Sequence, residues 1–270
     1  MYDKNKSLGE ILRNMDSAMV AFSGGIDSTF LLKRAHQELG DNVIAVVVNS
    51  ELFRRQEFEK AVQLAEEMGV KVYQTEIKEL ENEAIVANTP DSWYHSKKML
   101  YSHLNHLAEK LGYSYVLDGM IMDDLEDFRP GLLARTEEGA RSVLQEAKLY
   151  KKEIRALSKE LGLTIWNKPA SCSLASRIPY GVRLDKEKIE QVDQAEIFLA
   201  KLGFDPARVR HHGDVARIEV IPERIDELMK QRERIERKLV SLGFSYVAID
   251  LKGYRTGSMN EVLSEESLAI

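Results

Sequence analysis

The sequence predicts an α/β protein in which a doubly wound, mostly parallel sheet is followed by a smaller C-terminal α+β domain. In the first part of the chain, short apolar runs alternate with amphipathic stretches of helical period, which is the pattern of parallel strands covered by helices. In the last part, two helical stretches and two strand-like runs follow one another closely. We therefore predict two domains, residues 1–181 and residues 182–270.

Each predicted element rests on the spacing of its apolar residues. The run AMVAF at 18–22 predicts a strand, which leads through a glycine-rich loop into a helix over 29–39. The run VIAVVV at 43–48 is apolar throughout, as strands covered on both faces are. The other predicted strands lie at 70–77, 115–117, 216–221 and 246–251, and the other predicted helices at 55–68, 96–111, 186–202 and 224–242.

Composition and charge exclude several classes of function. The 270 residues carry a formal net charge of −6, so no general positive field recruits a nucleic acid, and a tRNA thiolase is disfavoured. The N-terminus lacks a signal-peptide core, and no apolar run is long enough to span a bilayer. We therefore expect a cytoplasmic protein with no membrane partner. Cys172 is the sole cysteine, which excludes an intrachain disulfide and a cluster held by several cysteines of one chain.

The loop SGGIDS, between the first strand and the first helix, indicates a site for a pyrophosphate group. Backbone N–H groups at the start of a helix favour negative charge. Gly24 and Gly25 allow close approach of the backbone, and the hydroxyls of Ser23 and Ser28 add donors. Asp27 would repel a phosphate, so its place implies either a bound Mg²⁺ or a helix-capping role. The loop is neither a GxxxxGK[ST] motif nor a GxGxxG motif.

Polar residues that follow the strand at 115–117 are expected at the same sheet edge. Asp118 and Gly119 come directly after that strand, and the Asp118 carboxylate could share a Mg²⁺ with Asp27. In the run DLEDFRPG, Glu126 offers a further oxygen ligand, and Arg129 offers a cation that offsets charge on an α-phosphate. A solvated acidic loop is the alternative interpretation.

Cys172 is a candidate nucleophile. It lies in the serine- and proline-containing loop KPASCSLASRIPYG, with Lys168 and Arg177 nearby in sequence, and cations favour the thiolate. A small buried apolar residue is the alternative role for a lone cysteine. Trp93 is a candidate for stacking on an aromatic ring, or else a packing residue. Arg208 and Arg210 alternate along ARVRHHGD and would share one face of an extended segment, where they could clamp phosphate or carboxylate groups.

The loop SGGIDS resembles the SGGxDS signature of the PP-loop family, the N-type ATP pyrophosphatases. The resemblance implies an adenine-nucleotide alpha-hydrolase-like fold and a reaction in which ATP transfers AMP to a substrate oxygen and releases pyrophosphate. ATP and Mg²⁺ are the expected cofactors. The residues expected to bind ATP and its pyrophosphate are Ser23, Gly24, Gly25, Asp27, Ser28, Asp118, Gly119 and Arg129, and those expected to hold the metal are Asp27, Asp118 and Glu126.

Longer stretches resemble the LarE family of sulfur transferases, and they cover nearly the whole chain. They include NTPDSWYHSKKM, LDGMIMDDLEDFRPG, LGLTIWNKPASCSLASRIPYG and LKGYRTGSMN. The resemblance implies that a carboxylate of pyridinium-3,5-biscarboxylic acid mononucleotide is adenylated and then receives sulfur from the cysteine equivalent to Cys172, which is left as dehydroalanine. The product would serve the nickel-pincer cofactor of lactate racemase. Another type in this family has three cysteines and an iron–sulfur cluster, which this sequence cannot build.

The same resemblance implies roles for other residues and for partners. Ser176 and Arg177 join Cys172 as catalytic residues, and Glu196 joins Trp93, Arg208 and Arg210 in binding the substrate. The partners expected are a small-molecule substrate, further copies of the chain in a homo-oligomer and a downstream nickel-insertion protein. Two other functions stay open: an ammonia-dependent PP-loop synthetase that does not need Cys172, and a non-catalytic nucleotide-binding module.

Overall fold

The computed structural model describes residues 1–125, 131–167, 172–255 and 257–262, so that Glu126 and Arg129 lie outside the described residues. Its strands are β1 (Ala18–Ala21), β2 (Val43–Asn49), β3 (Lys71–Glu76), β4 (Tyr115–Leu117), β5 (Ala207–His212), β6 (Val215–Val220) and β7 (Tyr246–Ile249). Its α-helices are α1 (Tyr2–Arg13), α2 (Ile26–Leu39), α3 (Arg55–Glu67), α4 (Glu83–Val86), α5 (Ser92–Leu111), α6 (Gly131–Glu138), α7 (Val143–Glu146), α8 (Lys151–Glu160), α9 (Lys186–Lys201), α10 (Ile225–Lys230) and α11 (Arg232–Ser241). Short 3-10 helices lie at Gly40–Asn42, Glu79–Glu81, Met122–Leu125, Thr164–Asn167, Leu174–Arg177, Pro222–Arg224 and Ser258–Val262.

The chain folds into two compact units. The first consists of Met1–Lys78 and Trp93–Ser171, and the second consists of Glu79–Ser92 and Cys172–Ile270. The chain therefore passes from one unit to the other at three points. The last crossing lies between residues 171 and 172, and the second unit also includes Glu79–Ser92. The predicted domain boundary at residue 181 stays a prediction.

The first unit is built on a parallel sheet with the strand order β3-β2-β1-β4. Strand β1 pairs with both β2 and β4, so it lies inside the sheet. Side chains alternate between the two faces: Ala18 and Val20 enter a core with α1, α2, α7 and α8, whereas Met19 enters a second core with α5. Both faces of the sheet are thus covered by helices, and the predicted α/β class with a parallel sheet is confirmed.

The second unit contains a small mixed sheet with the order β5-β6-β7. Strand β5 runs antiparallel to β6, and β7 runs parallel to β6 after a crossover through α10 and α11. Alternate residues of β5 and β6, such as Val209 and Ile218, pack against α9 and α11 in a separate apolar core. The smaller α+β part of the fold prediction is therefore confirmed.

The helix predicted over 224–242 is wrong as one element. The structure divides it at Gln231, whose φ of −106° and ψ of 10° depart from helical values, into α10 and α11. Leu228 lies in α10, and Ile235 and Leu239 lie in α11, yet all three enter the same core. The apolar period therefore continues through the break, and no glycine or proline marks it in the sequence. Within the described residues, no helix is long and apolar enough to cross a membrane.

Candidate active site

The glycine loop joins the end of β1 to the start of α2. Gly24 has a φ of +66°, and a side chain at this position would place its Cβ 2.9 Å from the Cβ of Ala61 on α3. Gly25 is the N-cap residue of α2, and its carbonyl oxygen accepts hydrogen bonds from Oγ of Ser28 at 3.2 Å and Oγ1 of Thr29 at 2.8 Å. Only glycine combines this φ with this close approach, so the loop keeps a bare backbone at the start of a helix.

The residues after β4 lie against this loop. A Cβ on Gly119 would lie 2.9 Å from the backbone nitrogen of Ser28, so the two backbones touch. Ser28 also brings its Oγ to 3.1 Å from Oγ of Ser23. The structure thus brings the predicted residues of the glycine loop and Gly119 together at the carboxyl ends of β1 and β4, where parallel sheets bind ligands.

Asp118 is buried, and protein donors occupy both of its carboxylate oxygens. Oδ2 accepts a hydrogen bond from the Tyr101 hydroxyl at 2.7 Å. Oδ1 accepts from Oγ of Ser142 at 2.6 Å and from the backbone nitrogen of Met120 at 3.1 Å. Burial, followed by the charge and the hydrogen bond of Asp118, raises the pKa of Tyr101 far above its ordinary value, so the phenol stays protonated as a donor. Asp118 therefore anchors β4 to α5, and its role as a metal ligand stays a prediction.

Asp27 on α2 forms an ion pair with Lys151, the first residue of α8. The distance from Lys151 Nζ to Asp27 Oδ2 is 2.5 Å, and the Lys151 backbone nitrogen donates to Oδ2 of Asp123 at 2.8 Å. Burial raises the pKa of Asp27 above its ordinary value against the opposing charge of Lys151, and Asp124 adds to the rise. Lys151 thus holds the side chain of Asp27 in place.

The other oxygen of Asp27 is suited to a metal ion. Asp27 Oδ1 is buried and accepts no hydrogen bond from any described residue. A carboxylate oxygen without a partner fits a hard cation such as Mg²⁺, which takes one or two carboxylates and completes its shell with phosphates and water. Among the described residues, no group of three or more histidine, cysteine, aspartate or glutamate side chains is arranged to hold a metal. Glu126 and Arg129 lie outside them.

Cys172 belongs to the second unit, and its thiol is free and exposed. The next residue, Ser173, is held through its carbonyl oxygen, which accepts from the backbone nitrogen of Ser176 at 3.1 Å and from Oγ of Ser176 at 2.7 Å. Arg177 Nη1 donates to the same oxygen at 3.1 Å. The cysteine is therefore presented beside a 3-10 turn that three donors fix in place, and it is not a small buried apolar residue.

Arg177 and Glu196 form a buried bidentate ion pair. Nε of Arg177 lies 2.9 Å from Oε1 of Glu196, and Nη2 lies 3.1 Å from Oε2. Oε1 also accepts from the backbone nitrogen of Val209 at 3.0 Å. Burial opposes the charge of Arg177, but Glu196, with smaller contributions from Cys172 and Tyr254, raises the pKa of the guanidinium above its ordinary value. Glu196 is occupied by protein donors, and a direct contact with substrate stays a prediction.

Arg208 and Arg210 have different environments although they share one face of β5. Arg208 donates to its neighbour's carbonyl oxygen at 2.8 Å, and its guanidinium lies 5.3 Å from the centre of the Tyr254 ring. Arg210 Nη2 donates to Glu219 Oε2 at 2.7 Å and to Ser258 Oγ at 2.8 Å. Arg210 is therefore built into its unit, whereas Arg208 has donors to spare for an anion.

The thiol of Cys172 lies in the field of two cations. Burial and then repulsion from Arg177 lower the pKa of Arg208, and the charges of Glu196, Tyr254 and Cys172 oppose this shift. Both Arg177 and Arg208 are therefore close enough to interact electrostatically with Cys172. Two cations beside an exposed side chain favour an anionic substrate at this place. Trp93 lies half-buried near the start of α5 in the first unit, and its stacking role stays a prediction.

Comparison with known proteins places this geometry in a family. Residues 5–99 match the model of the NAD synthase family. The chain is 25% identical over 209 residues to one subunit of the glutamine-hydrolysing GMP synthase of Sulfurisphaera tokodaii, over 70% of this chain and 56% of that protein. It is 39% identical over 264 residues to an uncharacterized protein of Synechocystis sp., over 97% of this chain and 98% of that one.

A further relative decides the assignment. The chain is 53% identical over 267 residues to pyridinium-3,5-bisthiocarboxylic acid mononucleotide synthase of Lactiplantibacillus plantarum, over 98% of this chain and 97% of that protein. The chain belongs to the pyridinium-3,5-bisthiocarboxylic acid mononucleotide synthase family. The predicted resemblance to the LarE family is thereby confirmed, and this LarE-family member is an enzyme of the PP-loop class, whose members use ATP.

Sequence reasoning missed several residues that contact the candidate site residues of this LarE-family member. Lys151 lies 124 positions from Asp27 in the sequence, and no sequence motif predicts that the two residues pair. Tyr101 carried a usable signal, because its hydroxyl lies at an apolar position of α5, where it must find a partner. Glu219 carried none, because it alternates with the core residues of β6 and shares a face with charged residues. Ser142 and Ser258 carried no such signal, because serine is common in loops.

Proposed function

We propose that this enzyme adenylates a carboxylate of pyridinium-3,5-biscarboxylic acid mononucleotide with ATP, and that it then inserts sulfur from Cys172, which is left as dehydroalanine. The observation that carries the proposal is the sole cysteine, exposed and in the field of Arg177 and Arg208. The relative of Lactiplantibacillus plantarum is named for the corresponding thiocarboxylate product. The thiocarboxylate would serve the nickel-pincer cofactor of lactate racemase.

The first step would form a mixed anhydride. A carboxylate oxygen of the substrate attacks the α-phosphorus of ATP, and pyrophosphate leaves with the bonding electron pair. The glycine loop would receive the phosphates on its backbone, with the hydroxyls of Ser23 and Ser28 as further donors. Asp27 would hold Mg²⁺, which supplies neutralisation of phosphate charge when it is bound, and Lys151 would hold Asp27 in place.

The second step would transfer sulfur. Sγ of Cys172, as the thiolate, attacks the acyl carbon, and AMP leaves, so that a thioester forms. A base then takes the Cα proton, the C–H electron pair forms a Cα–Cβ double bond, and the Cβ–Sγ bond breaks. The sulfur departs as the thiocarboxylate. Arg177 and Arg208 would stabilise the thiolate and the anionic substrate, and the turn at Ser176 would hold the cysteine during attack.

We further propose that the enzyme acts in the cytoplasm as a homo-oligomer and passes its product to a nickel-insertion protein. The homo-oligomer and the nickel-insertion protein are proposed from the family resemblance. A second function, ammonia-dependent amidation after the same adenylation, is favoured by the match of residues 5–99 to the NAD synthase model. The two functions share the first step and differ in the fate of Cys172.

Intact mass spectrometry distinguishes these functions. The wild-type protein would be incubated with ATP, Mg²⁺ and the pyridinium biscarboxylate mononucleotide, and the peptide that contains Cys172 would be mapped. We expect loss of the elements of hydrogen sulfide at Cys172, with AMP and pyrophosphate in equal amount. Release of pyrophosphate with no change in the mass of the Cys172 peptide would contradict the sacrificial mechanism. No pyrophosphate would refute the adenylation itself.

Replacement of Lys151 by methionine tests the ion pair at the glycine loop. Methionine keeps the apolar stem, but Asp27 loses the cation that lowers its pKa, so the carboxylate stays protonated to higher pH. We expect pyrophosphate release to slow by about 10- to 100-fold, and the acidic limb of its pH–rate profile to move to higher pH. Lys152→Met, at an exposed neighbouring lysine, is the matched control. An unchanged pH profile for Lys151→Met would contradict this role.

A further inference from the structure

A short excursion of the chain enters the unit that carries Cys172. The chain leaves the first unit after Lys78 and returns to it at Trp93, and the intervening Glu79–Ser92 belongs to the second unit. This excursion contains α4, whose N-cap Asn82 accepts a hydrogen bond at Oδ1 from the Ala84 nitrogen at 3.0 Å. It ends in a turn in which Oγ of Ser92 donates to the carbonyl oxygen of Ala84 at 2.7 Å.

Asn88, in this excursion, binds the segment that follows Cys172. Its Nδ2 donates to the carbonyl oxygens of Ile178 at 3.2 Å, Pro179 at 2.9 Å and Val182 at 3.1 Å. Its own carbonyl oxygen accepts from the backbone nitrogen of Gly181 at 2.8 Å. Asn88 is 2% exposed, so water does not replace these bonds. Residues 178–182 form no helix or strand, so their carbonyl oxygens have no partners in regular secondary structure. The Asn88 side chain supplies hydrogen bonds to three of these carbonyl oxygens.

The requirements at this position select asparagine. Asn88 has a φ of +52°, a region that glycine, asparagine and aspartate enter at least cost. The three carbonyl oxygens also require a side-chain amide, whose nitrogen carries two hydrogens and can share one of them between two oxygens. Glycine meets the first requirement and has no side-chain donor, and an aspartate carboxylate would face three carbonyl oxygens. A turn alone would not need both properties, so Asn88 serves the segment that it binds.

A continuous set of hydrogen bonds connects Asn88 to Ser173, the residue that follows Cys172. The backbone nitrogen of Ile178 donates to the Ala175 carbonyl oxygen at 3.0 Å, which joins the bound segment to the 3-10 helix Leu174–Arg177. That helix fixes the carbonyl oxygen of Ser173 through Ser176 and Arg177. Ser173, the residue next to Cys172, is therefore held by a series of hydrogen bonds that begins at Asn88.

We propose that Asn88 is a positioning residue that keeps Cys172 beside Arg177 and Arg208. The proposal rests on the proposed function in that Cys172 is the sulfur donor. A donor that must attack an acyl carbon loses rate steeply when it is displaced by about 1 Å. A side chain that fixes the segment beyond the cysteine therefore acts on the transfer step and not on adenylation.

The test measures the surroundings of Cys172 separately from sulfur transfer. Because the chain has a single cysteine, alkylation reports on one thiol. The two nearby arginines should favour anionic iodoacetate over neutral iodoacetamide. In Asn88→Gly we expect the ratio of the two alkylation rates to fall by about threefold or more. Asn82→Gly makes the same change in the same excursion without touching residues 178–182, and its ratio should match wild type.

Single-turnover kinetics complete the test. In Asn88→Gly we expect pyrophosphate release within about twofold of wild type and sulfur transfer slower by about 10- to 100-fold. A folded Asn88→Gly with the wild-type alkylation ratio and transfer rate would overturn the proposal. If Asn88→Gly does not fold, Asn88→Ser, which keeps one donor, should give an intermediate ratio, and a wild-type ratio would overturn the proposal equally. If the wild type itself transfers no sulfur, the proposed function fails, and the alkylation ratio still decides the role of Asn88.

Discussion

Replacement of Cys172 by serine is expected to abolish sulfur transfer, by a factor of about 10³ or more, while pyrophosphate release stays within about twofold of wild type. Serine keeps the size of the side chain, but it carries no sulfur and its hydroxyl is not ionised near neutral pH. The adenylation residues lie in the first unit and Cys172 lies in the second, so the first step keeps its own residues. Chromatography of AMP, pyrophosphate and the thiocarboxylate would measure both steps.

Cys172→Ala offers a matched control with a chemical rescue. The acyl adenylate should accumulate or hydrolyse in this variant, and added sulfide should attack the acyl carbon and displace AMP. We therefore expect sulfide to restore thiocarboxylate formation in Cys172→Ala. Wild-type levels of product from Cys172→Ser without added sulfide would contradict the role of Cys172, because the sulfur would then come from another donor.

Replacement of Glu196 by glutamine is expected to destabilise the second unit by about 3–5 kcal/mol. Arg177 and Glu196 have side chains exposed by 3% and 1%, so the substitution leaves a buried guanidinium without its counter-ion. The loss is a large part of the stability of an ordinary domain. Urea unfolding followed by circular dichroism would measure it.

The control for this variant lies on the same helix. Glu190 on α9 is 62% exposed and lies 3.6 Å from Lys186, and such surface pairs contribute little. Glu190→Gln should therefore change the free energy of unfolding by less than about 0.5 kcal/mol. A loss below about 1 kcal/mol for Glu196→Gln would show that burial of Arg177 does not depend on this carboxylate.

Most of the first unit could be predicted from local sequence pattern. The strands at 18–22, 43–48 and 70–77 and the helix at 55–68 depend on apolar spacing within one segment, and each corresponds to an element of the structure. The glycine loop was equally local, because its chemistry lies in six consecutive residues. The single helix predicted over 224–242 is wrong because the backbone at Gln231 leaves helical dihedral angles without a change in the apolar period.

The fold class, the glycine loop, the sole cysteine and the family could be predicted before the fold was known, because each depends on consecutive residues or on the count of one residue type. The side chains that hold these features in place could be identified only in the folded chain. Lys151 reaches Asp27 across 124 positions, Asn88 reaches Pro179 across 91, and Arg177 reaches Glu196 across 19. Such pairs form because a buried polar group without a partner costs free energy, and only the path of the folded chain brings a partner within reach.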